Sequence, residues 1–202
     1  MIEGTVTLQE PVGQALRLTR PLVLVGLMGA GKTSVGKRLA QYLGVGFIDS
    51  DAEIERAAGM TIPEIFTHLG EPAFRDGERR VISRLMTERP GVIATGGGAF
   101  IEPRTRATIK EGATSVWLRA ELGLLWDRVR DRPGRPLLQV PDPRAVLSDL
   151  LDRRYPIYAE ADVVVDSRRG AGPEVIAREV ARAVQDWDAG RPDRMATLEA
   201  VP

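Results

Sequence analysis

Cysteine is absent from the 202 residues, and histidine occurs once, at His68. Without thiols there can be no disulfide framework and no thiolate metal site. Net charge is missing too, because 28 Lys and Arg balance 28 Asp and Glu. A neutral chain has no overall field to draw in nucleic acid or an anionic membrane, and neither is expected as a partner. No stretch approaches the roughly 18 consecutive apolar residues of a membrane span. Met1 to Arg20 has neither the basic start nor the apolar core of a secretory signal. With the lack of cysteine, this makes the cytoplasm the expected location. His68, Trp117, Trp126 and Trp187 lie in helix or strand patterns and read as surface, capping or packing residues.

What is present is alternation. Five short apolar runs, Leu22 to Val25, Val45 to Ile48, Val92 to Ala94, Thr114 to Leu118 and Val163 to Val165, read as strands. Nearly every residue in them is apolar, as in strands buried on both faces of a parallel sheet. Helical patterns separate them: Thr33 to Leu43, Ala52 to Ala58, Ile62 to Leu69, Glu71 to Thr87, Arg104 to Lys110, Leu122 to Val129, Pro143 to Tyr158 and Pro173 to Trp187. Strand-helix alternation predicts a doubly wound α/β sheet. Thr61 to Glu64 has the form of a capping box. The prolines and glycine of residues 131 to 136 predict a mobile loop. Residues 1–19 read as a mobile extension and 188–202 as a disordered tail, leaving one domain over 20–187.

Directly after the first strand comes Gly26-Leu27-Met28-Gly29-Ala30-Gly31-Lys32-Thr33, which fits G-x-x-x-x-G-K-[ST]. Strand, glycine loop and helix give that pattern its meaning. The glycines allow main-chain N–H groups to turn around a phosphate, and the helix N-terminus adds positive potential. Lys32 can reach the β- and γ-phosphates, and the Thr33 hydroxyl can ligate Mg²⁺.

Asp49 and Asp51 follow the second strand, at the carboxyl end where ligands of parallel sheets collect. In extended chain they would point in different directions, one toward Mg²⁺ and the other toward an acceptor hydroxyl; Ser50 or Asp51 could also cap the next helix. In the charged run from Glu71 to Arg80, Arg75 and Glu78 share a helix face, whereas Asp76, Arg79 and Arg80 read as solvated ion pairs. Gly96-Gly97-Gly98 closes the third strand, and three glycines there suit close ligand approach. Arg135 on the mobile loop can bring charge to phosphoryl oxygens on closure. Arg154 ends a helix and offers a two-pronged partner to a carboxylate.

These pieces in this order resemble shikimate kinase. The resemblance rests on GLMGAGKTSVGKRLA, the D-S-D pair, GMTIPEIFTHLGEPAFRDGE, TGGGA, RPLL, RRYPIY and VVDSRR, and it covers roughly residues 20–187. It implies a P-loop NTPase of the nucleoside-monophosphate-kinase type: α/β, a five-stranded parallel sheet with helices on both faces and a mobile lid at about 131–141. The implied reaction is ATP plus shikimate giving ADP plus 3-phosphoshikimate, toward chorismate and aromatic amino acids, by a monomer. Lys32, with Gly29, Ala30, Gly31, Thr33 and Ser34, would hold the ATP phosphates. Thr33 would bind Mg²⁺, with Asp49 helping through water. Asp51 would hold the shikimate hydroxyls and orient, or also deprotonate, the attacking one. Arg75 and Arg154 would clamp the carboxylate, and Gly97 and Gly98 would contact ring hydroxyls. Arg135 would close over the phosphates and Arg169 would stack on adenine. A gluconate-kinase-like enzyme and a non-catalytic ATP-binding module are the competing expectations. Gly77 inside a helix departs from the pattern and is costly by about 1 kcal/mol relative to alanine.

Overall fold

The computed structural model describes residues 16–88, 90–131 and 140–201. Its centre is a five-stranded parallel sheet in the order β3-β4-β2-β5-β6. The strands are β2 (Leu22–Val25), β3 (Phe47–Asp49), β4 (Val92–Ala94), β5 (Thr114–Arg119) and β6 (Val163–Asp166). In register, Leu22 of β2 lies between Val92 of β4 and Thr114 of β5.

Central and edge strands differ as their positions dictate. All four residues of β2 and all three of β4 are buried. The edge strand β6 alternates, with Val163 and Val165 buried and Val164 exposed, and β3 is half-buried throughout. The expectation of strands covered on both faces therefore holds for the middle of the sheet and fails at its edges, where one side has no neighbour.

The chain leaves β2 in one direction, through α1 (Lys32–Leu43) to β3, and leaves β4 in the other, through α4 (Pro103–Gly112) to β5. Because crossovers are right-handed, that reversal puts the two helices on opposite faces. The α1 helix packs against α7 (Pro173–Ala189), while α4 packs against α3 (Ile62–Thr87). Helices α2 (Ser50–Ala58), α5 (Leu122–Val129) and α6 (Pro143–Tyr158) complete the layers. The capping box at Thr61 and Glu64 is formed at the start of α3. The two helices expected on either side of Gly70 are both present within this span and meet at a kink, where Gly70 is non-helical with a positive φ of 78°, a conformation only glycine adopts without strain.

The tail corrects a sequence expectation. Leu198–Ala200 forms β7 and pairs antiparallel with β1 (Leu16–Leu18). The Asp188 carboxylate accepts the Thr197 and Leu198 amides, and the Thr197 hydroxyl bonds that of Thr114, buried at the foot of β5. Residues 198–200 are thus strand rather than disordered tail, and 16–18 are strand rather than mobile extension. The tail mixes glycine, proline and charges of both signs, but three-residue strands need only a partner edge, which no local pattern announces. Arg135 and nearly all of the proposed lid at 131–141 lie outside the described residues. Among the described residues, no helix is long and apolar enough to cross a membrane.

Candidate functional site

Strand order decides what can meet at the carboxyl end of the sheet. The loop after β2 lies centrally, the loops after β4 and β3 lie to one side, and the loop after β6 lies to the other. A cleft of about 340 Å³ spans all of these loops, within the range of small-ligand sites. Its lining runs from Asp49, Asp51, Gly96 and Gly97, across Gly29 and Gly31 to Ser34, to Arg128, Ser167, Ala171 and Pro173.

The central loop has the backbone of a phosphate cradle. Gly29 and Gly31 take positive φ values of 82° and 99°, and Gly31 opens α1 with no side-chain cap. The first amides of α1 are thus left for a ligand. Ala30 is buried beneath the turn. Lys32 Nζ donates to the carbonyls of Gly26 (2.7 Å) and Leu27 (3.0 Å), which holds the ammonium at the mouth of the loop.

On the β3 side, Thr33 Oγ1 donates to Asp49 Oδ2 at 3.1 Å, and Asp49 Oδ1 accepts the Asp51 amide at 3.1 Å. Asp49 is therefore the N-cap of α2, a role expected of Ser50 or Asp51. Asp51 lies in the first helical turn, not in extended chain. The two carboxylates are both presented to the cleft by a strand-to-helix turn, not by strand alternation. Burial pushes the Asp51 carboxyl up to about 6; repulsion from Asp49 adds to this, while Lys32 and, more weakly, Arg75 oppose it.

The glycine run after β4 is explained by what presses on it. A Cβ on Gly96 would stand 2.6 Å from Asp51 Oδ1, and one on Gly98 would stand 2.6 Å from Arg75 Nη1. Neither distance is tolerable for a real side chain. A Cβ on Gly97 would stand 3.7 Å from Arg154 Nη1, an ordinary contact, and Arg154 Nη1 donates to the Gly97 carbonyl at 3.0 Å. One turn thus gathers three side chains that come from α2, α3 and α6.

Arg75 is held from behind. Its Nη1 donates to Glu78 Oε2 at 2.8 Å, and its Nε and Nη2 reach Glu71. Glu78 is 1% exposed, and burial pushes its carboxyl above the usual range, against the opposing pull of Arg75. A buried carboxylate beside a half-buried guanidinium fixes the orientation of the latter. The F-R-x-x-E spacing made this pair legible, although Glu78 was not assigned to the site. Asp76 with Arg79 and Arg80 forms exposed ion pairs, as expected of a solvated face.

Two placements differ from expectation. Arg169 is exposed and bonds Asp127 of α5, and it is absent from the cleft lining. Arg128 lines the cleft instead, donating to the carbonyl of Gly29 (3.0 Å) and to Ser167 Oγ (2.9 Å). No sequence pattern singles out Arg128, since its position depends on which face of α5 turns inward.

Comparison with known proteins agrees with this geometry. The family model described as shikimate kinase matches residues 28–185. A shikimate kinase of Paramagnetospirillum magneticum is 58% identical over 151 residues, covering 75% of this chain and 77% of its own. One from Caulobacter vibrioides is 57% identical over 160 residues, covering 79% of each chain. Among solved structures, the shikimate kinase of Acinetobacter baumannii in complex with shikimate superposes with a TM-score of 0.78 at 41% identity, covering 83% of this chain and 94% of that one. Fold, cleft and sequence together make this chain a member of the shikimate kinase family.

Proposed function

We infer that the protein transfers the terminal phosphoryl group of ATP to the 3-hydroxyl of shikimate, giving 3-phosphoshikimate and ADP. The observation that carries this reading is the convergence of Asp51, Arg75 and Arg154 on residues 96–98, beside the phosphate loop. An acceptor with one carboxylate and several hydroxyls matches two guanidinium groups and one carboxylate.

The strand order supports a division of labour. ATP phosphates would rest centrally on Lys32 and the amides from Gly29 to Ser34. The base would extend toward Arg128, Ala171 and Pro173 on the β6 side, where Arg169 would stack on it after leaving Asp127. The acceptor would lie on the β3–β4 side, its carboxylate on Arg75 and Arg154 and its hydroxyls on Asp51, Gly97 and Gly98. Arg135 would supply charge to the phosphates on closure.

Thr33 and Asp49 fit Mg²⁺, because a hydroxyl and a carboxylate are hard oxygen donors and this ion takes the rest of its shell from phosphates and water. Among the described residues no group of three acidic or His side chains offers a self-contained metal site, which agrees with a cation shared with the nucleotide. When bound, Mg²⁺ neutralises charge on the phosphates.

Phosphoryl transfer passes through a loose transition state, so positioning and charge dominate. Lys32 would hold the terminal phosphoryl in line, and Asp51 would hold the attacking hydroxyl. With a carboxyl pushed up to about 6, Asp51 is mostly ionised at neutral pH yet basic enough to take the hydroxyl proton as the new bond forms. The balanced charge and lack of cysteine support a cytoplasmic enzyme without nucleic-acid or membrane partners, and Lys32, Thr33, Asp49, Asp51 and Gly97 all line the cleft of one chain, which supports a monomer.

The test is an ADP-release assay with shikimate, gluconate and nucleoside monophosphates in parallel. Turnover with shikimate alone is the expected result. Turnover with gluconate but not shikimate, or ATP binding with no acceptor turned over, would overturn the reading.

A further inference from the structure

Tyr158 is a buried polar group that the mechanism above leaves unused. It is fully buried in the last turn of α6, and its hydroxyl donates to the Gly97 carbonyl at 2.5 Å. Arg154 lies four residues earlier on the same helix face and donates Nη1 to the same oxygen at 3.0 Å. A carbonyl has two lone pairs, and here two donors from one helix turn occupy them.

The ring itself is fixed. It stacks on Trp117 of β5 with centroids 6.0 Å apart and meets Tyr155 edge-on at 6.4 Å. Tyr155 is anchored in turn, its hydroxyl bonded to the Ala120 carbonyl. The phenol is therefore a rigid arm that reaches from the sheet to the glycine turn. Burial pushes its ionisation far above neutral, with the Arg154 charge opposing, so it stays a donor throughout the working range of pH.

Holding this carbonyl has consequences on both sides of it. In a trans peptide the following N–H points opposite to the C=O, so the direction of the Gly98 amide is set as well. The Arg154 guanidinium, with one Nη engaged on the carbonyl, keeps its remaining donors for another partner. Main-chain bonds from the Ala99 amide to the Gly96 carbonyl (3.3 Å) and from the Ile101 amide to that of Gly98 (3.0 Å) close the turn, and the Gly97 carbonyl between them is held by these two side-chain bonds.

We propose that Tyr158 is a positioning residue for the acceptor: its hydroxyl fixes the Gly97 carbonyl and, through it, the pose in which Arg154 meets the acceptor carboxylate. This rests on the reading of Arg154 as part of the carboxylate clamp. It adds a part of the clamp that never touches the substrate and acts through a backbone atom.

The experiment is a double-mutant cycle with Tyr158→Phe and Arg154→Lys, reading KM for shikimate, KM for ATP, kcat and Tm. Phenylalanine keeps the ring and its stacking, so only the hydroxyl is removed. Tyr158→Phe should raise the shikimate KM about fivefold, the worth of roughly one net hydrogen bond, with kcat and the ATP KM little changed. In the Arg154→Lys background the same change should add less than about twofold, because both residues act through one oxygen. A Tyr158→Phe enzyme with a lower Tm and an unchanged shikimate KM would overturn the proposal, as would fully multiplicative effects. Should Arg154→Lys alone leave the shikimate KM unchanged, the clamp reading fails and this inference fails with it. If Arg154→Lys raises it and Tyr158→Phe does not, only the role of Tyr158 is lost. Direct shikimate binding to each folded variant gives the same comparison without turnover.

Discussion

The two sides of the cleft are built from different materials. The side proposed for the nucleotide is main chain: a loop with three positive-φ glycines, the first amides of α1 and one lysine. The acceptor side is side chain: one carboxylate and two guanidinium groups, drawn from three helices and pressed onto three glycines. A main-chain cradle recognises any polyphosphate and tolerates change in the residues between its glycines. A side-chain cluster recognises one acceptor and depends on everything that holds each group. On the proposed reading, general chemistry sits at the centre of the sheet and selectivity at the β3–β4 edge.

The sharpest break in this comparison comes at Lys32, the one charged side chain of residues 26–33. Lys32→Ala should lower kcat by at least about 10³-fold through lost phosphoryl charge stabilisation, while circular dichroism and Tm stay near those of the parent. Near-normal turnover would remove Lys32 from its assigned role.

On the acceptor side, Gly98→Ala places a methyl group 2.6 Å from Arg75 Nη1. Arg75 is tied to buried Glu78 and cannot yield freely. The shikimate KM should rise by about tenfold or more, the scale of a displaced charged hydrogen bond, with little change in the ATP KM. Equal changes in both constants would show that the turn serves the whole cleft.

A third prediction concerns the cost of keeping Asp51 where it is. Its folded pKa is raised to about 6 from a reference of 3.8, so between these values the native state holds more proton than the unfolded chain. Stability must therefore fall as pH rises through that window, and the loss is complete above about 6. Asp51→Asn, free of Mg²⁺ and nucleotide, should have a higher Tm than the parent at pH 8. That gain should vanish near pH 4, although the variant turns over poorly. A constant Tm difference across this range would contradict the burial of the charge.

The smallest effect is expected away from both sides. Gly77 lies in mid-helix, and a Cβ there would touch nothing within 4 Å. Gly77→Ala should stabilise the protein by about 1 kcal/mol, read as a raised denaturation midpoint, with kinetics unchanged.

This division also explains what could be read from the sequence. The main-chain cradle is a local pattern, so residues 26 to 33 announced it in eight consecutive positions. The sheet was legible because apolar runs such as Leu22 to Val25 are continuous and the intervening helices have clear starts. Asp51, Arg75 and Arg154 lie far apart in the chain, and residue chemistry alone marked each only as a candidate; the family resemblance joined them. Arg128 and Tyr158 were not legible as site residues, because each bonds a backbone carbonyl that only folding brings near. The β1–β7 pair was missed for the same reason, being a contact between the two ends of the chain with no sequence period of its own.

The most direct test of the account is a crystal structure of the protein with shikimate, Mg²⁺ and a non-hydrolysable ATP analogue. The predicted result has the acceptor carboxylate against Arg75 and Arg154, its 3-hydroxyl on Asp51, and the terminal phosphate on Lys32 in line with that hydroxyl. A shikimate bound on the β6 side of the phosphate loop, with Asp51 facing no hydroxyl, would contradict it.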